Sequence, residues 1–236
     1  MEPTGARIAV VQFPGTNCER ETARALRAVV GCPVDVIWHA DPFPSDAYAA
    51  VVLPGGFAHG DHLRAGAIAR FSTVMRGIER FAVDGGLVLG ICNGFQVLLE
   101  AGLLPGAMLR NASLQFRSEW VHCRVERTDT PFTSQYTTGQ VLRLPIAHGE
   151  GNYVAVSEND QNVVLRYCDS SGRATQAANP NGSVRNIAGV TNQAGNVFAL
   201  MPHPERANES LLGSTDGRLL FESVAAGVSQ RVPALV

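Results

Sequence analysis

The sequence predicts an α/β protein with a mainly parallel central sheet, flanking helices and an added β-rich, partly antiparallel second half. In the first half, short β-branched apolar runs alternate with segments of helical hydrophobic spacing. These runs end in loops that contain glycine or proline, as buried parallel strands do. After about Asn111 the pattern changes to polar, β-rich segments between Gly, Asn and Ser clusters, which is typical of antiparallel strands.

The first half alternates strand and helix from the first apolar run onward. A helix is predicted where apolar residues recur at helical spacing and a glycine follows as a stop signal. Parallel strands bring their carboxyl ends to one edge of the sheet, so a ligand is expected there. The predicted strands are 7–13, 34–39, 49–53 and 87–91, and the predicted helices are 19–30, 71–83 and 93–101.

The second half is predicted to contain antiparallel strands, among them 120–127 and 141–146. No proline-rich linker, low-complexity tract or internal repeat divides the chain. Residues 1–236 are therefore predicted to form a single domain.

The composition of the 236 residues argues against several classes of function. All 19 basic residues are arginine, so this chain has no phosphate-loop lysine and no Schiff-base lysine. The formal charge of -2 and the scattered arginines do not indicate binding to nucleic acid or to a membrane surface.

The 5 cysteines are irregularly spaced, and this pattern predicts free thiols. The stretch MEPTGARIAVVQF lacks signal-peptide features, so we expect a cytoplasmic protein.

A cysteine stands between two glycines in LGICNGFQ, where the fourth predicted strand ends. A sharp strand-to-helix turn needs small neighbours, and Gly90 and Gly94 supply them. Such a turn would expose the sulfur of Cys92 at a helix N-terminus, where the thiolate is favoured. The amide of Asn93 would then face an oxyanion on an attacked carbonyl. The alternative is that Cys92 is a buried small hydrophobic residue, as most free cysteines are.

A cysteine nucleophile needs a base, and two segments offer a histidine followed two residues later by a glutamate. They are His148 with Glu150 and His203 with Glu205. In an extended segment residues i and i+2 point to the same side, so either glutamate could orient its histidine. Prolines on both sides of His203 hold that pair extended, whereas Gly149 leaves the first pair loose. The pattern favours the second pair, but a polar loop at 148–150 and a turn histidine at 203 remain alternatives.

The loop LPGGF follows the third predicted strand and brings Gly55 and Gly56 to the same edge of the sheet. Glycine lets a backbone amide approach a bound carbonyl because no Cβ intervenes. The loop lacks the spacing of a phosphate-binding loop and any following lysine. It is therefore predicted to supply a second oxyanion donor.

The strings LPGGF, GICNGFQ and MPHPE, in this order, resemble the class I glutamine amidotransferases. Within that family, the chain from Phe13 to Arg206 resembles the stand-alone glutaminase subunits of phosphoribosylformylglycinamidine synthases. A departure from the family pattern is the polar stretch 154–162, which is shorter than usual. The strings that carry the second resemblance are FPGTNC, LPGGFAHGDHLRAGAIA, PIAHGEGNY, NPNGS, NIAGVTN and MPHPER.

The resemblance implies a flavodoxin-like fold and a catalytic triad. Cys92 would be the nucleophile, His203 the general base and acid, and Glu205 the group that orients the histidine. His148 and Glu150 would have no catalytic role, and no metal site is implied. The other implied site residues are Gly56 and Asn93 as oxyanion donors and Gly55 and Gln96 as substrate-binding residues.

The resemblance also implies the reaction and its partners. Glutamine would be hydrolysed to glutamate and ammonia through a cysteinyl thioester. The ammonia would pass to a large ATP-dependent synthetase subunit, assisted by a small accessory subunit, which converts formylglycinamide ribonucleotide to its amidine in purine biosynthesis. ATP and Mg²⁺ would act on the synthetase, and no cofactor is expected on this chain.

Two other functions remain open at the level of the sequence. A stand-alone cysteine amidohydrolase or γ-glutamyl hydrolase of the same fold would be fully active without a synthetase. A non-catalytic redox or interaction protein would use Cys92 only as an oxidisable thiol. Labelling by a glutamine analogue, and its dependence on His203, separate these functions from a glutaminase.

Overall fold

A computed structural model describes residues 7–155 and 160–231. Its strands are β1 (Arg7–Gln12), β2 (Val34–Trp38), β3 (Tyr48–Leu53), β4 (Leu87–Ile91), β5 (Ala107–Leu109), β6 (Arg117–Val125), β7 (Val141–His148), β8 (Asn152–Val154), β9 (Val163–Cys168), β10 (Ile187–Thr191) and β11 (Val197–Leu200). Its α-helices are α1 (Glu19–Val30), α2 (Thr73–Val83), α3 (Asn93–Glu100) and α4 (Arg218–Arg231). The main sheet has 9 strands in the order β2-β1-β3-β4-β11-β10-β9-β6-β7, and β5 pairs with β8.

The strands β2-β1-β3-β4-β11 form the parallel half of the sheet. Apart from the edge strand β2, they are continuous apolar runs that are largely buried, as expected for a sheet covered on both faces. The strand order reverses at β1, so right-handed crossovers place α1 and α2 on opposite faces. The carboxyl ends of these strands meet at one edge, where ligands bind in such sheets.

The strands β10, β9, β6 and β7 extend the sheet in antiparallel fashion. The end of β7 nevertheless returns to the parallel half, since the carbonyl oxygen of Pro145 accepts a hydrogen bond from the His203 amide at 2.8 Å. The strand twist that accumulates across a large sheet permits this return. One wall of the site at the carboxyl edge therefore comes from the antiparallel half.

The predicted fold class is confirmed, and the bounds of most predicted elements are correct to within a few residues. Gly31 ends α1 at the predicted position in a left-handed conformation, with φ of 64°. The helix α2 begins two residues later than predicted because Ser72 is extended, with φ -60° and ψ 149°. The strand β11 comes from the partly antiparallel half of the sequence but is parallel to β4. Its position depends on pairing between distant segments, which local patterns do not specify.

The 9-stranded sheet includes strands from both halves of the sequence, and the single domain over 1–236 stays a prediction. Within the shortened stretch 154–162, residues 156–159 lie outside the described residues. Over the ranges described, none of the helices combines the length and the apolar character that crossing a membrane requires.

Candidate active site

The turn between β4 and α3 holds Cys92 in a strained backbone conformation. Its φ of 50° and ψ of -103° lie outside the regions that L-residues normally occupy. A Cβ at Gly94 would lie 1.9 Å from the carbonyl oxygen of Leu53, and one at Gly90 would lie 2.7 Å from the side chain of Leu98. Only glycine therefore lets the strand and the helix approach as closely as this turn requires.

Backbone hydrogen bonds fix the conformation of Cys92. Its N–H donates to the carbonyl oxygen of Leu200 at 2.8 Å, and its carbonyl oxygen accepts from the amides of Phe95 and Gln96 at 3.0 and 3.2 Å. The sulfur lies 3.8 Å from the carbonyl oxygen of Ala147. Cys92 is 4% exposed but lines a cavity, so the sulfur is less exposed than predicted and yet not sealed in apolar packing.

The side chains of His203 and Glu205 form a buried dyad. Nδ1 of His203 lies 2.6 Å from Oε1 of Glu205. A carboxylate only accepts hydrogen bonds, so Nδ1 carries the proton and Nε2 presents a lone pair. Nε2 is buried without a hydrogen-bond partner among the described residues. The imidazole is therefore held in the tautomer that can remove a proton from a thiol.

The backbone that presents this dyad differs from the predicted one. His203 is extended, with φ -105° and ψ 90°, as its two flanking prolines predict. Glu205 instead lies in a single 3₁₀ turn, Pro204–Arg206, so the prediction of an extended pair is wrong. Pro204 at the first position favours this turn because its φ is already helical. The turn, and not an extended i, i+2 spacing, brings the carboxylate to the imidazole.

The thiol of Cys92 is one of the groups that shift the pKa of His203. Burial by itself would lower the pKa of His203, but the charge of Glu205, the charge of the Cys92 thiolate and contacts with the thiols of Cys18 and Cys92 raise that pKa well above its usual value. A raised pKa favours an imidazolium paired with a thiolate. The site can therefore form the ion pair that attacks carbonyl carbons.

The other histidine, His148, has different partners. Its Nδ1 lies 3.2 Å from Oδ1 of Asn111, which also accepts the Gly151 amide, so Nδ1 of His148 is the donor. Glu150 does not contact this ring, and its Oε2 accepts the amide of Ala65 at 3.2 Å. Because His148 ends β7 and is 3% exposed, the alternative of a polar loop does not hold at this residue.

A cavity of about 260 Å³ opens onto Cys92. Gln96 lines it, and its side-chain amide accepts from Nδ2 of Asn93 at 2.8 Å and donates to the carbonyl oxygen of Glu150 at 2.6 Å. The protein thus fixes the side chain of Gln96, whose contact with substrate stays a prediction. The lining residues are Gly56, Phe57, Asp61, Cys92, Gln96, Arg110, Leu114, Phe116, Ala147, His148, Gly149 and Glu150.

Of the two predicted oxyanion donors, Asn93 follows Cys92 in the chain and Gly56 lines the same cavity. Asn93 is the first residue of α3, and the amides of a first helical turn have no acceptor within the helix. Gly56 lines the same cavity as Cys92 and has φ of 151°. A Cβ at Gly56 would lie 2.7 Å from Cα of Thr16, so glycine is required there. The positions of both residues are compatible with the predicted oxyanion hole, whose function stays a prediction.

The sequence predicts that Gly55 contacts substrate, but in the structure Gly55 packs against His203 and Cys18. It does not line the cavity, and a Cβ on it would lie 2.6 Å from Cε1 of His203 and 3.2 Å from Sγ of Cys18. The geometry indicates that Gly55 makes room for the imidazole. Cys18 receives a hydrogen bond from Nη2 of Arg206 at 3.1 Å, and burial raises the pKa of its thiol.

The side chains of Cys18, His203 and Glu205 place possible metal-ligand atoms within 4.8 Å of one another. The imidazole and the carboxylate already bond each other, and the guanidinium of Arg206 on the sulfur of Cys18 opposes a second cation. The cluster therefore favours a positioned base over a metal centre.

Sequence reasoning missed three residues that shape the site: Asn111, Asp61 and Arg206. Asn111 fixes the ring of His148, Asp61 accepts from Nδ2 of Asn93 at 3.2 Å, and Arg206 bonds Cys18. Asp61 and Arg206 lie inside the strings FAHGDHLRAG and MPHPER, so the resemblance marked their positions but not their contacts. No sequence pattern indicates the role of Asn111.

Comparisons with known proteins agree with this geometry. The sequence profile of the CobB/CobQ-like glutamine amidotransferase domain matches residues 5–218. Phosphoribosylformylglycinamidine synthase subunit PurQ of Moorella thermoacetica is 54% identical over 92% of this chain and 94% of its own length. The corresponding subunit of Pseudothermotoga lettingae is 52% identical over 95% and 97%. A chain in the structure of PurLQS from Thermotoga maritima is 44% identical, with a TM-score of 0.85 over 94% of this chain and 99% of its own.

The relatives match nearly the whole chain at high identity, and the family profile spans every element of the site. The chain belongs to the glutamine amidotransferases and, among them, to the family of phosphoribosylformylglycinamidine synthase subunit PurQ.

Proposed function

We propose that this chain is the glutaminase subunit of a phosphoribosylformylglycinamidine synthase. It hydrolyses the side-chain amide of glutamine, and the ammonia serves an ATP-dependent synthetase that makes the amidine of formylglycinamide ribonucleotide in purine biosynthesis. The observation that carries this proposal is the strained Cys92 turn beside the His203–Glu205 dyad. The PurQ relatives supply the assignment to this synthase.

The reaction is an acyl transfer in two steps. Nε2 of His203 takes the proton of the Cys92 thiol, and the thiolate attacks the amide carbon of glutamine. The tetrahedral intermediate collapses as the imidazolium gives its proton to the nitrogen, so ammonia leaves and a γ-glutamyl thioester forms. Water, deprotonated by His203, then attacks the thioester carbon, and glutamate departs as the thiol is restored.

The negative oxygen of each tetrahedral intermediate is assigned to the amides of Gly56 and Asn93. Their positions beside Cys92 support this assignment. Backbone donors held in place before the reaction stabilise the charge without reorganising, and losing one such donor typically costs roughly 100- to 1000-fold in turnover. Glu205 supports the same steps because its carboxylate stabilises the imidazolium as it forms.

The partners proposed are the large synthetase subunit and the small accessory subunit. The Thermotoga maritima assembly is named PurLQS, and its PurQ-like chain matches 94% of this one. Free ammonia is mostly protonated at neutral pH, so direct delivery to a partner preserves its reactivity. Exposed apolar side chains at the cavity mouth support coverage by a partner. They are Phe57 at 44%, Leu114 at 79% and Phe116 at 54% exposure.

No cofactor is assigned to this chain, and ATP with Mg²⁺ is assigned to the synthetase. The absence of lysine from the sequence supports this division because phosphate-loop chemistry needs that residue.

We assign the reaction to the cytoplasm. The cysteines Cys18, Cys32, Cys92, Cys123 and Cys168 are free thiols, which suits a reducing compartment.

The proposal is tested by ammonia release from glutamine, with the chain alone and in complex with its synthetase and small subunit. We expect low activity for the chain alone and a large rise in the complex. Cys92→Ser should lower turnover at least about 1000-fold because serine is a far weaker nucleophile at neutral pH. Cys123→Ser, the same change at a buried thiol in β6, is the matched control.

The synthetase reaction should continue in the Cys92→Ser complex when ammonium is supplied at high concentration, because only the ammonia source is lost. Activity retained by Cys92→Ser would contradict the nucleophile. Equal turnover with and without the synthetase would instead favour a stand-alone amidohydrolase.

A further inference from the structure

The pair formed by His203 and Glu205 has few hydrogen bonds of its own. A single contact of 2.6 Å joins Nδ1 of the imidazole to Oε1 of the carboxylate. Nε2 of His203 and Oε2 of Glu205 are both buried with no hydrogen-bond partner among the described residues. One hydrogen bond leaves an imidazole free to rotate over a broad range, so the direction of Nε2 depends on the groups that pack around the ring.

The sulfur of Cys18 is one of these groups. It lies within 4.8 Å of a ring nitrogen of His203 and of a carboxylate oxygen of Glu205. A Cβ built on Gly55 would lie 2.6 Å from Cε1 of His203 and 3.2 Å from the sulfur, so the ring and the sulfur pack beside the same backbone atom. Because Cys18 is 1% exposed, its side chain fills space that solvent does not reach.

The thiol of Cys18 stays protonated at neutral pH. Burial, with a smaller effect of the negative charge of Glu205, raises the pKa of this thiol, although the contact with His203 and the charge of Arg206 lower it. The thiol donates a hydrogen bond to Oδ1 of Asn17 at 3.1 Å. A neutral thiol does not compete with the proposed nucleophile, so Cys18 can act on the imidazole only through its position.

Arg206 connects the sulfur of Cys18 to the turn that carries the pair. It is the last residue of the 3₁₀ turn that contains Glu205. Its Nη2 donates to Sγ of Cys18 at 3.1 Å, and its Nε donates to Oε2 of Glu21 on α1 at 2.9 Å. The amide of Cys18 also donates to the carbonyl oxygen of Gly55 at 3.2 Å. These contacts join the loop after β1, the loop after β3 and the turn after β11.

We propose that Cys18 and Arg206 are positioning residues for the general base His203. The sulfur, held by the guanidinium, packs against the imidazole and keeps Nε2 directed at Cys92. This inference rests on the proposed function and adds to it two residues that take no direct part in the reaction. Positioning affects the rate because a displacement of about 1 Å can lower turnover roughly 100-fold.

The first test measures ammonia release from glutamine by the assembled complex. Cys18→Ala should lower kcat and kcat/KM equally, by about 10- to 100-fold, with KM changed less than about 2-fold, because only the base is displaced. Cys18→Ser keeps an acceptor for Arg206 and should recover kcat to within about 5-fold of wild type. Cys123→Ala removes a fully buried thiol in β6 and is the matched control, which should change stability but neither kcat nor KM.

The second test determines whether Cys18 and Arg206 act as one unit. Arg206→Met keeps the length of the side chain but removes its donors, and it should lower kcat by about 3- to 30-fold. Combined with Cys18→Ala, it should slow the enzyme by less than about 3-fold further, because residues in one network have non-additive effects.

The matched control for Arg206 is Arg24, which pairs with Glu209 at 2.7 Å on the same helix α1. Arg24→Met removes a comparable ion pair and should leave kcat unchanged. The side chain of Arg206 is 34% exposed, so Arg206→Met carries the test if Cys18→Ala does not fold.

A spectroscopic readout is independent of the proposed function. The Nδ1 proton of His203 lies in a buried hydrogen bond of 2.6 Å, and isotope-labelled histidine makes its NMR signal observable in the full chain without substrate. The signal should shift or broaden in Cys18→Ala and should match wild type in Cys123→Ala. An unchanged signal in Cys18→Ala would overturn the inference.

The kinetic outcomes are equally decisive. A kcat of Cys18→Ala within about 2-fold of wild type, an effect on KM alone, or an equal loss in Cys123→Ala would overturn the inference. Additive losses in the double variant, or a Cys18→Ser variant as slow as Cys18→Ala, would do the same. A wild-type complex that releases no ammonia from glutamine would overturn the proposed function, while the NMR comparison would still test the packing of Cys18 against His203.

Discussion

The two His-x-Glu segments have the same spacing and different environments. At 203–205 the imidazole bonds its own glutamate at 2.6 Å, whereas at 148–150 it bonds Asn111 at 3.2 Å and the glutamate bonds Ala65. The pKa of His203 is raised well above its usual value, and burial lowers that of His148 to about 4. The same His-x-Glu spacing therefore permits a histidine–glutamate pair in both segments. Such a pair forms only at 203–205, because Asn111 occupies Nδ1 of His148.

The backbone explains why the two segments diverge. Pro204 opens a 3₁₀ turn that brings Glu205 to His203. After His148 the chain leaves β7, and Nε2 of Gln96 holds the carbonyl oxygen of Glu150 on the cavity wall at 2.6 Å. The first segment forms a histidine–carboxylate pair, whereas the second places its glutamate on the cavity wall and bonds its histidine to Asn111.

The largest expected effect separates the histidines by matched substitutions. Asparagine at either position can keep the Nδ1 hydrogen bond but removes Nε2. His203→Asn should lower kcat for ammonia release by about 100- to 10,000-fold because the general base is lost. His148→Asn should cost about 10-fold or less, the effect of one neutral hydrogen bond. Steady-state assays of the complex decide this, and the reverse ranking would show that the base was assigned to the wrong segment.

A smaller effect is expected from two glycines that flank Glu150. A Cβ at Gly151 would lie 2.3 Å from Cε1 of His148, whereas one at Gly149 would meet only Cδ2 of Phe116 at 3.8 Å. Gly151→Ala should therefore lower the free energy of unfolding by up to about 3 kcal/mol through overpacking. Gly149→Ala should change it by less than about 1 kcal/mol. Urea unfolding measures both, and equal effects would show that the ring of His148 is not tightly packed.

The smallest effect concerns the pH dependence of stability. Because the pKa of His148 falls from its ordinary 6.5 to about 4 on folding, the unfolded state binds more protons between these values. Wild type should thus lose about 2 kcal/mol of stability between pH 7 and pH 5 through this residue. His148→Asn should remove that loss. Unfolding curves at both pH values measure the difference, and an unchanged slope in the variant would contradict the lowered pKa.

His203 should show the opposite sign. Its pKa is raised on folding, so its contribution to stability is complete below pH 6.5 and is lost as the pH rises through the folded-state value. His203→Asn should therefore lose more stability at pH 5 than at pH 9. A variant that behaves like His148→Asn would show that the two environments do not differ as described.

The sequence by itself determined the fold class and indicated the candidate reacting groups. Apolar runs such as the buried LVLGI of β4 can be read as strands because both faces are covered. The glycines that flank Cys92 predict a sharp turn because only small residues fit there. The structure shows that position 94 admits only glycine. These features depend on neighbours within a few residues.

Only the tertiary structure decided which histidine pairs with its own glutamate and which residues line the opposite side of the cavity. The contacts that matter join Cys92 to Ala147, His148 to Asn111, and Asp61 to Asn93, all distant in sequence. The position of β11 beside β4 brings His203 to the cysteine, and the return of β7 brings His148. Local patterns fix how a segment folds, but burial and charge depend on packing between segments, so the pKa of each histidine follows from the assembled sheet.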